Sequence, residues 1–232
     1  MEAAEFDRFA DEYEAIHARN LRLSGESPDY FAKAKIDEVA RRWTAQGRPP
    51  PRAVLDFGSG VGASLPHLAR AFPGAALTAL DVSERSLAIS AARFPDLARR
   101  VRHDGRGELP LEDRAFDLIF TACVFHHIDA ADHLGLLAGL RRRLAPGGVL
   151  VVFEHNPANP VTRYIVASCP FDVNAVLIAP RALKARLRGA GFCRIDIAFT
   201  GFFPHALAAL RPLEGWLAKA PFGAQYYAFA HD

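Results

Sequence analysis

Ala53-Val54-Leu55-Asp56-Phe57-Gly58-Ser59-Gly60-Val61-Gly62 is the stretch whose reading decides the fold. Three apolar residues run into an acid, and glycine then falls at every second position. An apolar run bounded by Pro49-Pro50-Pro51 on one side and glycines on the other is the pattern of a strand buried in a parallel sheet. The glycines mark a tight turn where backbone must approach a ligand too closely for a Cβ. Residues 64–72 read as a helix, with Pro66 tolerated in its first turn because no intrahelical bond is lost there. Strand, glycine-rich turn and helix together make a nucleotide-type site.

Gly58-x-Gly60-x-x-Ala63 satisfies the dinucleotide fingerprint, so a nicotinamide-dependent oxidoreductase is one reading. Two features favour another. Asp56 stands two residues before the first glycine, where a carboxylate can order the loop and meet an ammonium group, and the third glycine, Gly62, comes one position early for a dinucleotide turn. Asp-x-Gly-x-Gly-x-Gly resembles motif I of the class I S-adenosylmethionine-dependent methyltransferases.

The resemblance continues along the chain. Residues 76–82 read as a second strand, and Asp81 follows the turn at the spacing of about 20 residues that brings a carboxylate to a bound ribose. A helix over 83–94 follows, for which Asp81 is alternatively an N-cap acid. Residues 101–105 read as a short third strand ending in Asp104-Gly105, similar to the family motif in which an Asp accepts from the adenine amino group; Asp-Gly is also a common turn pair. Residues 116–128 read as a fourth strand running into a loop and resemble the family's FDLI…HHI segment, whose small residues line the methionine part of the cofactor. Ala122 and Cys123 stand there, and Cys123 reads equally well as a small core hydrophobe. A helix capped by Asp129 or Asp132 runs to Leu144, Pro146-Gly147-Gly148 ends it, and 149–153 form a fifth strand. The match in order and spacing covers about residues 53–154.

The resemblance implies an α/β fold: a three-layer, Rossmann-like, seven-stranded sheet, mostly parallel with the last strand antiparallel. An N-terminal helical cap (1–48) would precede the methyltransferase domain (49–232), with helical insertions at about 156–180 and 203–222. It implies S-adenosylmethionine as cofactor and S-adenosylhomocysteine as product. Asp56, Phe57, Gly58, Ser59 and Gly60 would hold the methionine and ribose side, Asp81 the ribose, Val82 the adenine face, Asp104 and Gly105 the adenine edge, and Ala122 and Cys123 the methionine tail. In the cap, residues 5–19 and 29–46 read as helices, with Tyr30, Ile36, Val39 and Trp43 on the buried side of the second. Tyr13, Tyr30 and Lys35 either reach the cofactor carboxylate or are packing and solvated residues.

The remaining composition narrows the class. At 232 residues the chain suits one α/β domain with an appendage. Half of it is apolar, enough for a real core. The formal charge of +2 does not indicate nucleic-acid capture, and runs such as Arg141-Arg142-Arg143 read as helix C-termini. Cys123, Cys169 and Cys193 are far apart with no Cys-x-x-Cys spacing, so no metal site or disulfide framework is expected. Reduced thiols, an acidic N-terminus and the lack of a long apolar run suit a cytoplasmic protein without a membrane span.

After the fifth strand the chain becomes irregular, then gives a helix over 180–190, a strand over 192–199 and a last strand over 225–230. Phe202-Phe203-Pro204 and an apolar helix over about 205–219 read either as a lid on an acceptor pocket or as a packing element or homodimer surface. Methyl transfer to a small-molecule acceptor is an in-line displacement, and a hydroxyl or protonated amine acceptor also needs a base. His126, His127, Glu154 and His155 lie at the ends of the fourth and fifth strands; His155 and His126 are the candidate catalytic groups, with Asp172 and His205 further candidates. O-methylation is placed ahead of N-methylation, and a non-catalytic cofactor-binding or partner protein is the remaining alternative.

Overall fold

The computed structural model describes residues 25–105, 108–170 and 172–232. The helix expected over 5–19, with Tyr13, lies outside the described residues. Helix α1 (Pro28–Ala45) starts where the Ser27 hydroxyl accepts from Tyr30 N at 3.1 Å, with Pro28 in the first turn. Its buried stripe is Ala32, Ile36, Val39 and Trp43. Tyr30 is off that stripe: it is half-buried, with the Arg211 guanidinium 4.5 Å over its ring.

Seven strands form one sheet in the order β3-β2-β1-β4-β5-β7-β6. They are β1 (Ala53–Phe57), β2 (Ala76–Asp81), β3 (Arg99–Arg102), β4 (Phe116–Ala122), β5 (Leu144–His155), β6 (Arg194–Thr200) and β7 (Gln225–His231). β1 to β5 pair in parallel, while β7 runs antiparallel to both β5 and β6. Side chains alternate between faces. Leu55, Leu150 and Val152 join the core under α4 (His133–Arg143) and α6 (Pro180–Gly189). Val54, Val149, Val151 and Phe153 join the core under α1 and α2 (Leu65–Ala71). Helix α3 (Glu84–Arg93) packs on β2 and β3. Sheet order reverses between β1 and β4, and at such a switch point the carboxyl ends of the strands open a crevice for a ligand.

Several expected boundaries shift for physical reasons. β3 lies two residues earlier than expected, so Asp104 and Gly105 fall in a turn beyond it; Gly105 has φ +79°. Pro146-Gly147-Gly148 does not separate helix from strand but sits inside β5 at an irregularity, where the register jumps from Phe116 opposite Leu144 to Leu118 opposite Val149. Helix α5 (Pro160–Ser168) fills part of the irregular stretch, capped by the Asn159 side chain accepting from Thr162 N at 3.0 Å. The apolar helix expected over 205–219 is instead a kinked 3-10 stretch, His205–Leu213, followed by the short α7 (Glu214–Leu217). Pro212 removes a donor inside it, and none of its side chains is buried; Trp216 is 91% exposed. Arg143, at the end of the basic triplet, is buried, bonded to Asp113 and to Leu109 O. Among the described residues no helix is long and apolar enough to cross a membrane.

Candidate active site

The turn after β1 is pinned to β2. Gly58 N and Ser59 N both donate to Leu80 O, at 2.8 and 3.1 Å. Gly58 has φ +73°, and a Cβ there would lie 2.3 Å from Val124 Cγ2. Gly60 also has a positive φ, +52°, but a Cβ there would meet nothing within 4 Å, so it borders open space. Asp81 ties the two turns together: Oδ2 accepts from Gly60 N at 2.8 Å and Oδ1 from Ser83 N at 2.9 Å. The N-cap of α3 is Ser83, whose hydroxyl accepts from Ser86 N, so the capping alternative for Asp81 does not hold.

Asp56, at the end of β1, is 3% exposed, and its Oδ2 has no hydrogen-bond partner. Burial, and then the charge of Asp81, push its carboxyl up to about 7. Ser59 Oγ and Thr121 Oγ1 are buried without a partner as well. Unsatisfied buried polar atoms are costly, and Asp56 Oδ2 and Ser59 Oγ stand at the end of β1, where a ligand with donors of its own would satisfy them. An amino-acid ammonium suits Asp56, and the open space at Gly60 suits a closely approaching ligand. Val82 is buried beside this crevice, and Asp104 is exposed, 3.6 Å from His103 Nδ1.

At the end of β4, Cys123 takes φ +59°, unusual for a non-glycine residue, while its N–H donates to Phe153 O at 2.8 Å. Burial pushes its thiol up, so it is not a thiolate nucleophile. The chain then makes a 3-10 turn, Phe125–His127, that delivers two histidines. Glu154, fully buried on β5, accepts from Phe125 N at 2.9 Å and from His126 Nδ1 at 2.6 Å. His126 Nε2 and His127 Nε2 lie 3.5 and 3.4 Å from Asp172 Oδ1. The His155 ring centroid is 5.2 Å from that of His126. Burial pulls His126 down, but the charge of Glu154, its bond to Nδ1 and the nearby Asp172 carboxylate outweigh it and hold the imidazole well above its ordinary value. Burial, and then the charge of His126, bring His127 and His155 down to about 4.

The structure thus gathers His126, His127, Glu154, His155 and Asp172 at the tips of β4 and β5, and sends His205 elsewhere, to Glu26 at 3.0 Å. The Lys35 ammonium is near enough to lower both Cys123 and His155 slightly. Two residues have roles that the sequence reading missed. Asn156, fully buried, donates to Pro221 O at 3.1 Å and to Gly223 O at 2.8 Å and accepts from Ala158 N, locking the loop after β5 to the segment before β7. Gln225 Nε2 donates to Cys123 Sγ at 3.6 Å. The repeated Asn-Pro of Asn156-Pro157-Ala158-Asn159-Pro160 was a turn-and-cap signal for the first; nothing local marks the second.

A doubly wound sheet with a glycine-cradled crevice and unsatisfied acceptors at its switch point defines a nucleoside-cofactor enzyme. Comparison with known proteins makes this specific. A family model described as a methyltransferase domain matches residues 55–150. The trans-aconitate 2-methyltransferase of Acidovorax sp. (strain JS42) is 32% identical over 181 residues, covering 73% of this chain and 67% of that protein. The demethylmenaquinone methyltransferase of Tropheryma whipplei (strain Twist) is 40% identical over 152 residues, covering 64% of this chain and only 56% of that protein. A crystal structure of an S-adenosylmethionine-dependent methyltransferase from Thermotoga maritima shares the fold with TM-score 0.71 at 23% identity, covering 98% of each chain. The Haemonchus contortus phosphoethanolamine N-methyltransferase 2, solved with S-adenosylmethionine, shares it with TM-score 0.58 at 16% identity, covering 84% of this chain and 52% of that one. The chain belongs to the class I S-adenosylmethionine-dependent methyltransferases, and S-adenosylmethionine is its cofactor. The nicotinamide and non-catalytic readings give way to this one.

Proposed function

We propose that the protein methylates an oxygen of a small-molecule acceptor. The observation that carries the reading is the buried, unpartnered Asp56 Oδ2 at the glycine-cradled end of β1, with the histidine cluster at the neighbouring strand ends. The bound cofactor supplies an electrophilic methyl group on a sulfonium. Asp56 pairs with its ammonium, and the Phe57–Gly60 backbone cradles its amino-acid tail. Asp81, whose two oxygens order the turns after β1 and β2, meets the ribose hydroxyls. Val82 covers one face of the adenine, Asp104 and Gly105 meet its edge, and Ala122 and Cys123 run along the methionine.

His155 is the residue that takes the acceptor's proton on an imidazole nitrogen. His126, held by Glu154, is a positioning residue rather than the base. Oxygen is favoured over nitrogen because trans-aconitate, named for one relative, is a carboxylate, whose nucleophilic atoms are oxygens. The three free thiols fit a cytoplasmic setting. Calorimetry with S-adenosylhomocysteine, followed by mass analysis of products from a panel of carboxylic acids, phenols and amines, tests the reading. Asp81→Ala should abolish cofactor affinity, while His155→Gln should keep it and lose turnover at least tenfold. Methylation of amines alone refutes the oxygen assignment.

A further inference from the structure

We infer that His126, His127 and Asp172 form a binding site for one first-row divalent transition cation of the zinc class. One ligand atom from each of His126, His127 and Asp172 lies within 4.8 Å of the other two. The two nitrogen-to-oxygen distances are 3.5 and 3.4 Å. These are long for N–H···O bonds, which lie at about 2.7–3.2 Å. They match the edge of a tetrahedron around a cation whose bonds are about 2.0–2.2 Å, for which ligand atoms sit roughly 3.4 Å apart.

The ligands are also held as metal ligands are held. His126 Nδ1 is bonded to Glu154 Oε2 at 2.6 Å, and Nε2 is the nitrogen that faces Asp172. A carboxylate behind a ligating imidazole fixes its orientation and raises its basicity. Glu154 is itself fixed, accepting from Phe125 N at 2.9 Å. The 3-10 turn brings the rings of consecutive histidines to 4.2 Å between centroids, an arrangement that a regular strand, which points neighbours to opposite faces, would not produce. Asp172 is placed by its own N–H on Cys169 O at 3.0 Å, and the segment after it by Val176 N donating to His126 O at 2.8 Å.

Charge and donor type select the ion. Two carboxylates, Glu154 and Asp172, converge on His126, and a dication neutralises both. Two imidazoles and one carboxylate suit Zn²⁺, Fe²⁺, Co²⁺ or Mn²⁺ better than Mg²⁺ or Ca²⁺, which prefer all-oxygen shells. The spacing of the three cysteines carries no signal for this site, which uses no sulfur. Three protein ligands leave a coordination position for water or an acceptor oxygen, at the tips of the strands where the acceptor is expected.

The test uses the untagged protein, treated with chelator, dialysed and titrated with Zn²⁺ by calorimetry. One equivalent should bind with Kd on the order of 1 μM or tighter. Asp172→Asn and His127→Gln should each weaken binding at least tenfold, and so should Glu154→Gln, through the outer carboxylate. His205→Gln, outside the cluster, should leave it unchanged. S-adenosylhomocysteine affinity measured on the same samples separates loss of the metal site from loss of the fold or of the cofactor site. X-ray absorption of the loaded wild-type protein gives a second readout and should show histidine scattering around the metal. No stoichiometric binding, equal affinity in Asp172→Asn and wild type, or a metal shell without histidine overturns the proposal.

Discussion

Replacing Asp56 by Asn tests the electrostatics of the cofactor crevice. The side chain is buried, its Oδ2 has no donor, and its carboxyl is pushed from 3.8 to about 7 by burial and then by Asp81. Between pH 4 and pH 7 the folded protein holds a proton that the unfolded chain releases. Stability without cofactor therefore falls as pH rises through that window; the cost is absent below about pH 4 and complete above about pH 7. A shift of about 3 units corresponds to about 4 kcal/mol. Asp56→Asn removes this pH-dependent cost but adds amide donors of its own, a penalty that does not vary with pH. The diagnostic is thus the change in the difference between variant and wild type: about 4 kcal/mol in the variant's favour on going from pH 4 to pH 8, read by urea unfolding. With cofactor the sign reverses. Wild-type affinity for S-adenosylhomocysteine should rise up to about tenfold per pH unit below 7 as the carboxylate forms to meet the ammonium, whereas the variant should bind at least tenfold more weakly at pH 8. A stability difference independent of pH, or equal affinity for the product at pH 8, refutes the reasoning.

The two glycines of the same turn should separate stability from binding. Gly58→Ala drives a methyl into Val124 and should lower stability by about 3 kcal/mol or more, read as a drop in melting temperature. Gly60→Ala meets open space, so its stability cost should be about 1–2 kcal/mol for the left-handed backbone alone, while product affinity by calorimetry falls at least tenfold. Asn156→Ala strips the donors from Pro221 O and Gly223 O and should cost about 2–4 kcal/mol in urea unfolding.

The parallel part of the sheet was legible because its signals are local. Val54 and Leu55 both bury, on opposite faces, as a continuous apolar run demands, and the glycines after them take the positive φ that their identity permits. The place of Asp81 at the end of β2, bonded to the first turn, was legible from spacing, since one strand–helix–strand unit has a nearly fixed length. Pro146-Gly147 misled because a breaker pair reads the same at a helix end and inside an irregular strand; only the partner strand's register distinguishes them. His205–Leu213 misled because its apolar spacing suits a helix face, yet none of its side chains is buried among the described residues. The histidine cluster was half visible. His126, His127, Glu154 and His155 are near the strand ends in sequence, but Asp172 reaches them only through the tertiary path of the loop after α5.

β6 touches the sheet only through β7, which lies between it and β5. A ribosome delivers β6 first, together with the α6 helix that precedes it, and that strand lacks its native partner until β7 emerges. For that interval β5 is itself an open template, with Val151, Val152 and Phe153 along it. Nascent chains stalled in this interval are the species that a holdase should capture, because pairing with a second copy competes with waiting. Completion of the sheet therefore waits for β7, even though the cofactor crevice is assembled from strands made before it.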